Sequence, residues 1–286
     1  MNRAIAELLD VNAGVLSRRR YPELATQLDY LCRRGILTTP LPGVHVHRDL
    51  EADWRTLARA VNEWDQRAQI TGAAAAALSF WPELVPSTVE VAGRRASFER
   101  PHLSFSRRVV PEDMVVELAG VRLTTPALTA MDLVPRYGGD PIDRALRSRM
   151  ATLDGMREAL RRSPGRHGNV DRRLMLLDSR DEPWSEGERL SHRLLRGGGI
   201  TGWRTNVPIV CDGHTYYQDI AFDDCPVVLE IDGRIHLRRD LFETDRFRGN
   251  YLLLAGKQVL HYTWLMLNEQ PDWFVATTQR AIDLFR

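Results

Sequence analysis

The chain has 286 residues, 43% of them hydrophobic and 27% charged, a balance that excludes a disordered or fibrous protein and leaves room for two or three cored domains. Lys and Arg total 39 against 38 Asp and Glu, and Lys257 is the only lysine; no segment is a strongly basic tail, so nucleic-acid binding has to rest on local arginine patches. No run reaches the roughly 18 apolar residues of a membrane helix, the first residues lack a signal peptide's apolar core, and Cys32, Cys211 and Cys225 form no CxxC or Cys/His pattern, which argues against a membrane partner, a disulfide framework and a zinc site, and for the cytoplasm.

Residues 1–50 read as a small helical unit followed by a β-ribbon. Ile5, Leu8 and Leu9 have helical spacing, Gly14 breaks it, and Pro22 opens a second helix running to Arg33-Arg34 and ended by Gly35. Ile36 to Thr39 and Val44 to His47 then read as strands around a turn at residues 40–43. Helix, turn, helix, β-wing is the order of a winged helix. On a DNA-binding reading, Arg18, Arg19 and Arg20 before the second helix and Arg33 and Arg34 at its end contact phosphates, while the wing from Thr38 to His47 touches a groove. Five arginines on a small domain are equally a solvated face.

Residues 51–162 read as an α+β middle domain. Leu57 to Asn62 and the alanine-rich stretch from Thr71 to Leu78 are helical, and β-like runs follow at 87–91, 103–110 and 115–123, with turns at Gly93 and Gly120. Helical spacing returns at 126–133 and 143–162.

The stretch from Ser163 to Asn169 is rich in Gly, Pro and Asn and marks a boundary, so residues 163–286 form the last domain. Helices are expected at 170–178, 186–196, 240–255 and 271–285, and strands near 203–210, 215–222, 227–232 and 258–263. This is an α/β module with a central mixed sheet flanked by helices.

The strongest local signal lies in that module. Tyr217 to Phe222 and Val227 to Asp232 flank a four-residue connection, which predicts a hairpin; pairing Phe222 with Val227 sets Asp219 opposite Glu230. Directly opposed residues have β-carbons about 4.5 to 5.5 Å apart, and two carboxylates so placed repel each other unless one is protonated or a cation intervenes. Asp232 shares a strand face with Glu230 and adds a third negative charge. Mg²⁺ or Mn²⁺ would resolve this crowding, with hard oxygen ligands from the acids and the remaining positions filled by water and a substrate phosphate. The bland alternative is a solvated sheet edge, but Glu230 and Asp232 continue an apolar run, Val227, Val228, Leu229 and Ile231.

The pattern Asp-x10-Glu-x-Asp-Gly-x-x-His, with Ser185-x-x-Glu188 upstream and Asp245-x-x-Arg248 downstream, resembles the nuclease-like domain related to very-short-patch mismatch repair endonuclease, of the PD-(D/E)xK superfamily. The likeness covers about 100 residues. It implies a restriction-endonuclease-like fold in which Asp219 is the main metal ligand and Glu230 the second acid. Asp232 then stands where the wider superfamily has its lysine, so a second metal or a nearby base must substitute, and His236 is the candidate. Glu188 has two compatible readings: Ser185-x-x-Glu188 is a capping box, and the resemblance implies a helix-borne acid reaching metal-bound water. Asp245 and Arg248 most simply form an exposed ion pair; the sharper reading gives Arg248 a phosphate.

The winged-helix order, the alanine-rich segment and Gly120-Val121-Arg122-x-Thr124-Thr125-Pro126-Ala127-x-Thr129-Ala130-x-Asp132-Leu133 resemble the AbiE-type antitoxin family over about residues 5–150. That likeness adds a protein partner to the expected ones, DNA and a second copy of the chain. The function expected is a Mg²⁺-dependent DNA endonuclease, nicking strands in repair or defence. The alternatives are a DNA-binding regulator or antitoxin-like protein whose nuclease fold no longer cuts and, with less support, a nuclease acting on RNA.

Overall fold

Ile5 and Leu9, one turn apart on helix α1 (Arg3–Val11), are buried against Leu28 and Leu31 of α2 (Ala25–Arg33) in one core cluster. These residues come from a computed structural model, which describes residues 3–93, 100–211, 213–232 and 249–286. It is a mixed α/β protein with mixed sheets flanked by helices, and the chain divides into two compact units: Met1–Tyr137 with Ser148–Asn169, and Gly138–Arg147 with Val170–Arg286.

In the first unit, strands β1 (Val15–Ser17), β2 (Leu37–Leu41) and β3 (Val44–His47) form an antiparallel sheet in the order β1-β3-β2. Strand β1 is too short to show a period in the sequence. The expected turn at 40–43 is tighter in the structure, because Pro40 lies inside β2. A proline is tolerated there: β2 is an edge strand, and its register shifts between Thr38 and Leu41. Within the wing expected to touch a groove, His45 is buried, 1% exposed, with Nδ1 3.2 Å from both the Cys32 Sγ and the Thr39 Oγ1.

Helix α3 (Trp54–Trp64) starts earlier than its apolar spacing suggests, because Asp53 caps it by accepting the Thr56 amide at 2.8 Å. Strands β4 (Gln69–Thr71), β5 (Val89–Ala92), β6 (Leu103–Ser106), β7 (Val115–Leu118) and β8 (Val121–Thr124) form a mixed sheet ordered β6-β5-β4-β8-β7. Ile70, Val89, Val91, Leu103 and Leu123 pack with Leu57 and Val61 of α3. Helix α4 (Gly72–Leu78) follows β4 directly, and its small side chains allow almost complete burial. The β-run expected at 115–123 is a hairpin with its turn at Gly120 as expected, where Ala119 and Gly120 take φ 51° and 73°, the left-handed pair a type I′ turn requires. The run expected to 110 ends at Ser106, and beyond it Arg108 pairs with Asp132 of α5 (Pro126–Tyr137).

The helix expected at 143–162 is two helices, α6 (Asp140–Arg147) and α7 (Leu153–Arg161). Arg149 takes φ 58° between them, and Thr152 restarts the helix by accepting the Gly155 amide at 3.1 Å. Helix α6 belongs to the second unit rather than to the middle segment.

The second unit continues with α8 (Asn169–Asp178), α9 (Glu186–Gly197), β9 (Trp203–Cys211), β10 (His214–Phe222), β11 (Val227–Asp232), a helical stretch at 249–254, β12 (Gln258–Thr263), α10 (Trp264–Glu269) and α11 (Pro271–Phe285). The sheet runs β12-β11-β10-β9, with β11 and β12 parallel and the other neighbours antiparallel. Ile220, Phe222, Val227, Leu229, Ile231 and Tyr262 bury one face against Leu195 of α9 and Phe274 and Ile282 of α11.

Candidate metal centre

Alternation puts Ile220, Phe222, Leu229 and Ile231 in the core, which leaves Asp219, Glu230 and Asp232 at the alternate positions of β10 and β11. The observed register pairs Ile220 with Leu229 and Ala221 with Val228. Continued by one step, that register sets Asp219 across from Glu230, the juxtaposition expected from the four-residue connection.

The ladder changes at this step. Strand β10 pairs with β9 at Gln218–Val207 and again at Ile220–Thr205, while Asp219 and Asn206 between them drop out, and Asn206 takes a left-handed φ of 50°. On the other side the Ile231 amide donates to the Asp219 Oδ2 at 2.7 Å. The side chain replaces a backbone acceptor, and that fixes the carboxylate at the gap between β10 and β11.

Helix α9 carries a fourth acid, Glu188. Ser185 is its N-cap; the Ser185 hydroxyl accepts the Glu188 amide at 3.1 Å and donates to Glu188 Oε1 at 2.9 Å, while the Trp184 amide donates to Oε2 at 2.8 Å. This reciprocal capping is the box expected from the sequence. Gly187 carries the helix onto the sheet: a β-carbon there would stand 2.9 Å from Ile231 Cγ2. Glu188 is 6% exposed, and burial followed by the charge of Asp219 pushes its carboxyl up to about 8, against the hydrogen bonds from Trp184 and Ser185. Glu188 thus caps α9, as its first reading has it, and lies within electrostatic reach of Asp219.

Glu230 is 5% exposed and pairs in register with His261 of β12. His261 also lies with Nδ1 3.7 Å from Asp232 Oδ2, both side chains being partly exposed. Sequence reasoning did not single out His261; its position follows from the parallel β11–β12 register, a non-local pairing. His236 and the pair Asp245 and Arg248 lie outside the described residues. Among the described residues, no group of three or more His, Cys, Asp or Glu side chains is arranged to hold a metal ion.

Next to Glu188 stands a buried ion pair that the sequence did not announce. Arg189, fully buried, pairs with Asp143 of α6 and hydrogen-bonds Ser179, with Glu186 3.4 Å from its Nε. Burial raises the Asp143 carboxyl to about 7 against the pull of Arg189. One turn further along α9, His192 is fully buried beside the Trp203 ring, centroids 5.0 Å apart, and neither ring nitrogen has a hydrogen-bond partner among the described residues. Burial, then Arg196 and Arg189, lower its pKa to about 3, so it is a neutral core residue.

The arginines expected to contact phosphate divide into two sets. Arg18 pairs with Asp29 and donates to His45 Nε2 at 3.3 Å, Arg19 donates to the Glu63 carbonyl at 2.9 Å, and Arg20 lies 3.5 Å from the Glu63 carboxylate. Arg33 and Arg34 are exposed at the end of α2, where Arg34 donates to the Tyr30 hydroxyl at 3.5 Å and Arg33 makes no ion pair among the described residues.

No family model matches the chain, and no curated protein matches it either.

Proposed function

We propose that the second unit is a divalent-metal-dependent DNA endonuclease with a restriction-endonuclease-like arrangement, and that residues 1–50 are a winged helix that contacts DNA. The observation that supports this reading is that Asp219, held at the gap between β10 and β11, lies within electrostatic reach of the buried Glu188 of α9, with the buried Glu230 on the neighbouring strand. These are hard oxygen donors in a mostly buried place, and Asp219 helps hold Glu188 protonated at neutral pH. A divalent cation is the partner that lets such acids ionise together, and the donor set suits Mg²⁺ or Mn²⁺. When bound, the ion would polarise the phosphate and lower the pKa of a coordinated water.

The chain's own residues do the rest. Ser185 and Trp184 hold the Glu188 carboxylate, and Ile231 holds that of Asp219. His261 beside Asp232 carries an imidazole able to take a proton from an attacking water, with the carboxylate stabilising the imidazolium formed. It joins His236 as a candidate for the role that lysine has in the superfamily.

The test is cleavage of supercoiled, nicked, mismatched and branched DNA with Mg²⁺ or Mn²⁺. Metal-dependent cleavage that disappears in Asp219→Asn supports the reading; intact DNA with every substrate and both metals overturns it.

A DNA-binding regulator whose nuclease fold no longer cuts is the second reading. The Ile231 amide already engaging Asp219 favours it. It predicts sequence-specific footprints unchanged in Asp219→Asn, and the absence of any protected sequence counts against it.

A further inference from the structure

In the first unit, strands β4, β5 and β6 bring Thr71, Glu90 and Ser104 into one cross-strand row, Thr71 pairing with Glu90 and Glu90 with Ser104. Ile70, Val89, Val91 and Leu103, at the alternating positions, enter the core, so the polar row faces the opposite way. A cavity of about 450 Å³ opens over it, completed by Pro86 and by Arg136 and Tyr137 from the end of α5. That volume lies in the range of small-molecule sites.

Two features make this more than a polar hollow. Glu90 sits against Gly72, where φ is +59° and a β-carbon would stand 2.2 Å from Glu90 Oε2. Only glycine both allows that backbone and leaves room for the carboxylate. Second, Glu90 and Arg136 line the same cavity, yet neither side chain makes a hydrogen bond or an ion pair among the described residues. Arg136 instead lies 5.2 Å from the Tyr137 ring centroid. The nearby acid Asp132 is already held by Arg108 and Arg166. Burial and Asp132 push the Glu90 carboxyl up while Arg136 pulls it down, so the guanidinium is close enough to be felt but does not neutralise it by contact. A purely structural pair of opposite charges would close this gap; here it is held open between a half-buried anion and an exposed cation.

We propose that this cavity binds a free α-amino acid with an apolar side chain, its ammonium on Glu90, its carboxylate on Arg136, and its side chain against Pro86 and Tyr137. The Thr71 and Ser104 hydroxyls supply further hydrogen bonds beside Glu90. The two fixed charges demand a ligand carrying both, and the apolar wall favours leucine- or phenylalanine-like side chains over charged ones.

The test is isothermal titration of the full chain with L-leucine and L-phenylalanine, and with N-acetyl-L-phenylalanine and L-phenylalaninamide, which each lack one charge. The expected result is saturable binding of at least one free amino acid, at least about tenfold weaker binding of both blocked analogues, and a similar loss in Glu90→Gln and Arg136→Gln, about 1.4 kcal/mol each. Arg136 is exposed, so the Arg136→Gln result stands even if Glu90→Gln fails to fold. No binding of either amino acid, equal binding of the blocked analogues, or binding unchanged in Arg136→Gln overturns the proposal.

Discussion

The backbone amide of Ile231 donates to Oδ2 of Asp219 at 2.7 Å, at the one step where Asp219 leaves its ladder with β9. A residue that is both strand fastener and candidate metal ligand should answer differently to two substitutions. Asp219→Ala leaves a buried amide without its acceptor, a loss of about 1–3 kcal/mol, and should lower the melting temperature by several degrees. Asp219→Asn keeps a carbonyl acceptor and should stay near wild-type stability while losing metal-dependent cleavage. Thermal melts of both, with cleavage assays on Asp219→Asn, check this; equal destabilisation by the two would show that the amide hydrogen bond contributes nothing.

Glu188 sets a pH dependence on the metal-free protein. Its folded pKa, about 8, lies above its ordinary 4.5, so the folded state holds the proton more tightly. The stability this contributes is fully present below about pH 4.5 and is lost as pH rises through about 8. Glu188→Gln should flatten that decline, and Mn²⁺ should raise the melting temperature of the wild type near pH 8 more than that of the variant. Identical pH profiles for the two proteins would sink the idea.

His192 works in the opposite sense. Its folded pKa, about 3, lies below the ordinary 6.5, so stability from this group is present above pH 6.5 and is lost as pH falls toward 3. The full loss is roughly 4–5 kcal/mol at about 1.4 kcal/mol per unit. Replacing His192 by Leu should shift the acid-unfolding midpoint, followed by circular dichroism, to lower pH; a midpoint that stays put would show that another group triggers acid unfolding.

Arg189 and Asp143 are each almost fully buried, so losing one partner should cost more than losing both. Arg189→Met strands a buried carboxylate, at about 3–5 kcal/mol. The double variant Asp143→Leu/Arg189→Met should recover part of that in a urea-unfolding cycle. Strictly additive losses would mean that the charges do not act as a pair.

For DNA, Arg33 and Arg34 are the arginines to remove. Arg33→Ala/Arg34→Ala should weaken binding about equally across sequences and reduce the slope of log K against log salt by about 1 for each phosphate that an arginine no longer neutralises. Arg18→Ala should instead act on the fold, since Arg18 is engaged with Asp29 and His45. An unchanged salt slope in the Arg33/Arg34 variant would remove these residues from the interface.

Features of the second unit that depend on neighbours in sequence could be read directly. The four residues between Phe222 and Val227 fixed the β10–β11 register, and Ser185 with Glu188 announced the start of α9. What depends on distant pairing could not: His261 reaches Asp232 only through the parallel β12, and Asp143 meets Arg189 only when α6 docks. The break in the ladder at Asn206 was hidden as well, because a left-handed residue within a strand leaves no periodic mark. Helical spacing at 143–162 missed the interruption at Arg149 for a related reason: apolar periodicity reports which face is buried, and α6 and α7 bury theirs in different units.

The Asp143–Arg189 pair spans 46 residues of chain, and this bears on how the protein is made. During synthesis α6 leaves the ribosome first and waits for its guanidinium, for several seconds at about 5–20 residues per second. Until then a helix destined for the interior carries an unpaired carboxylate in water, where it is readily solvated. The Gly- and Pro-rich stretch at 163–169 looks like a place to cut the protein in two, yet a fragment beginning there would carry Arg189 without Asp143, its buried partner, and with only the half-exposed Glu186 beside it. A stable, separately expressed C-terminal unit therefore has to include residues 138–147.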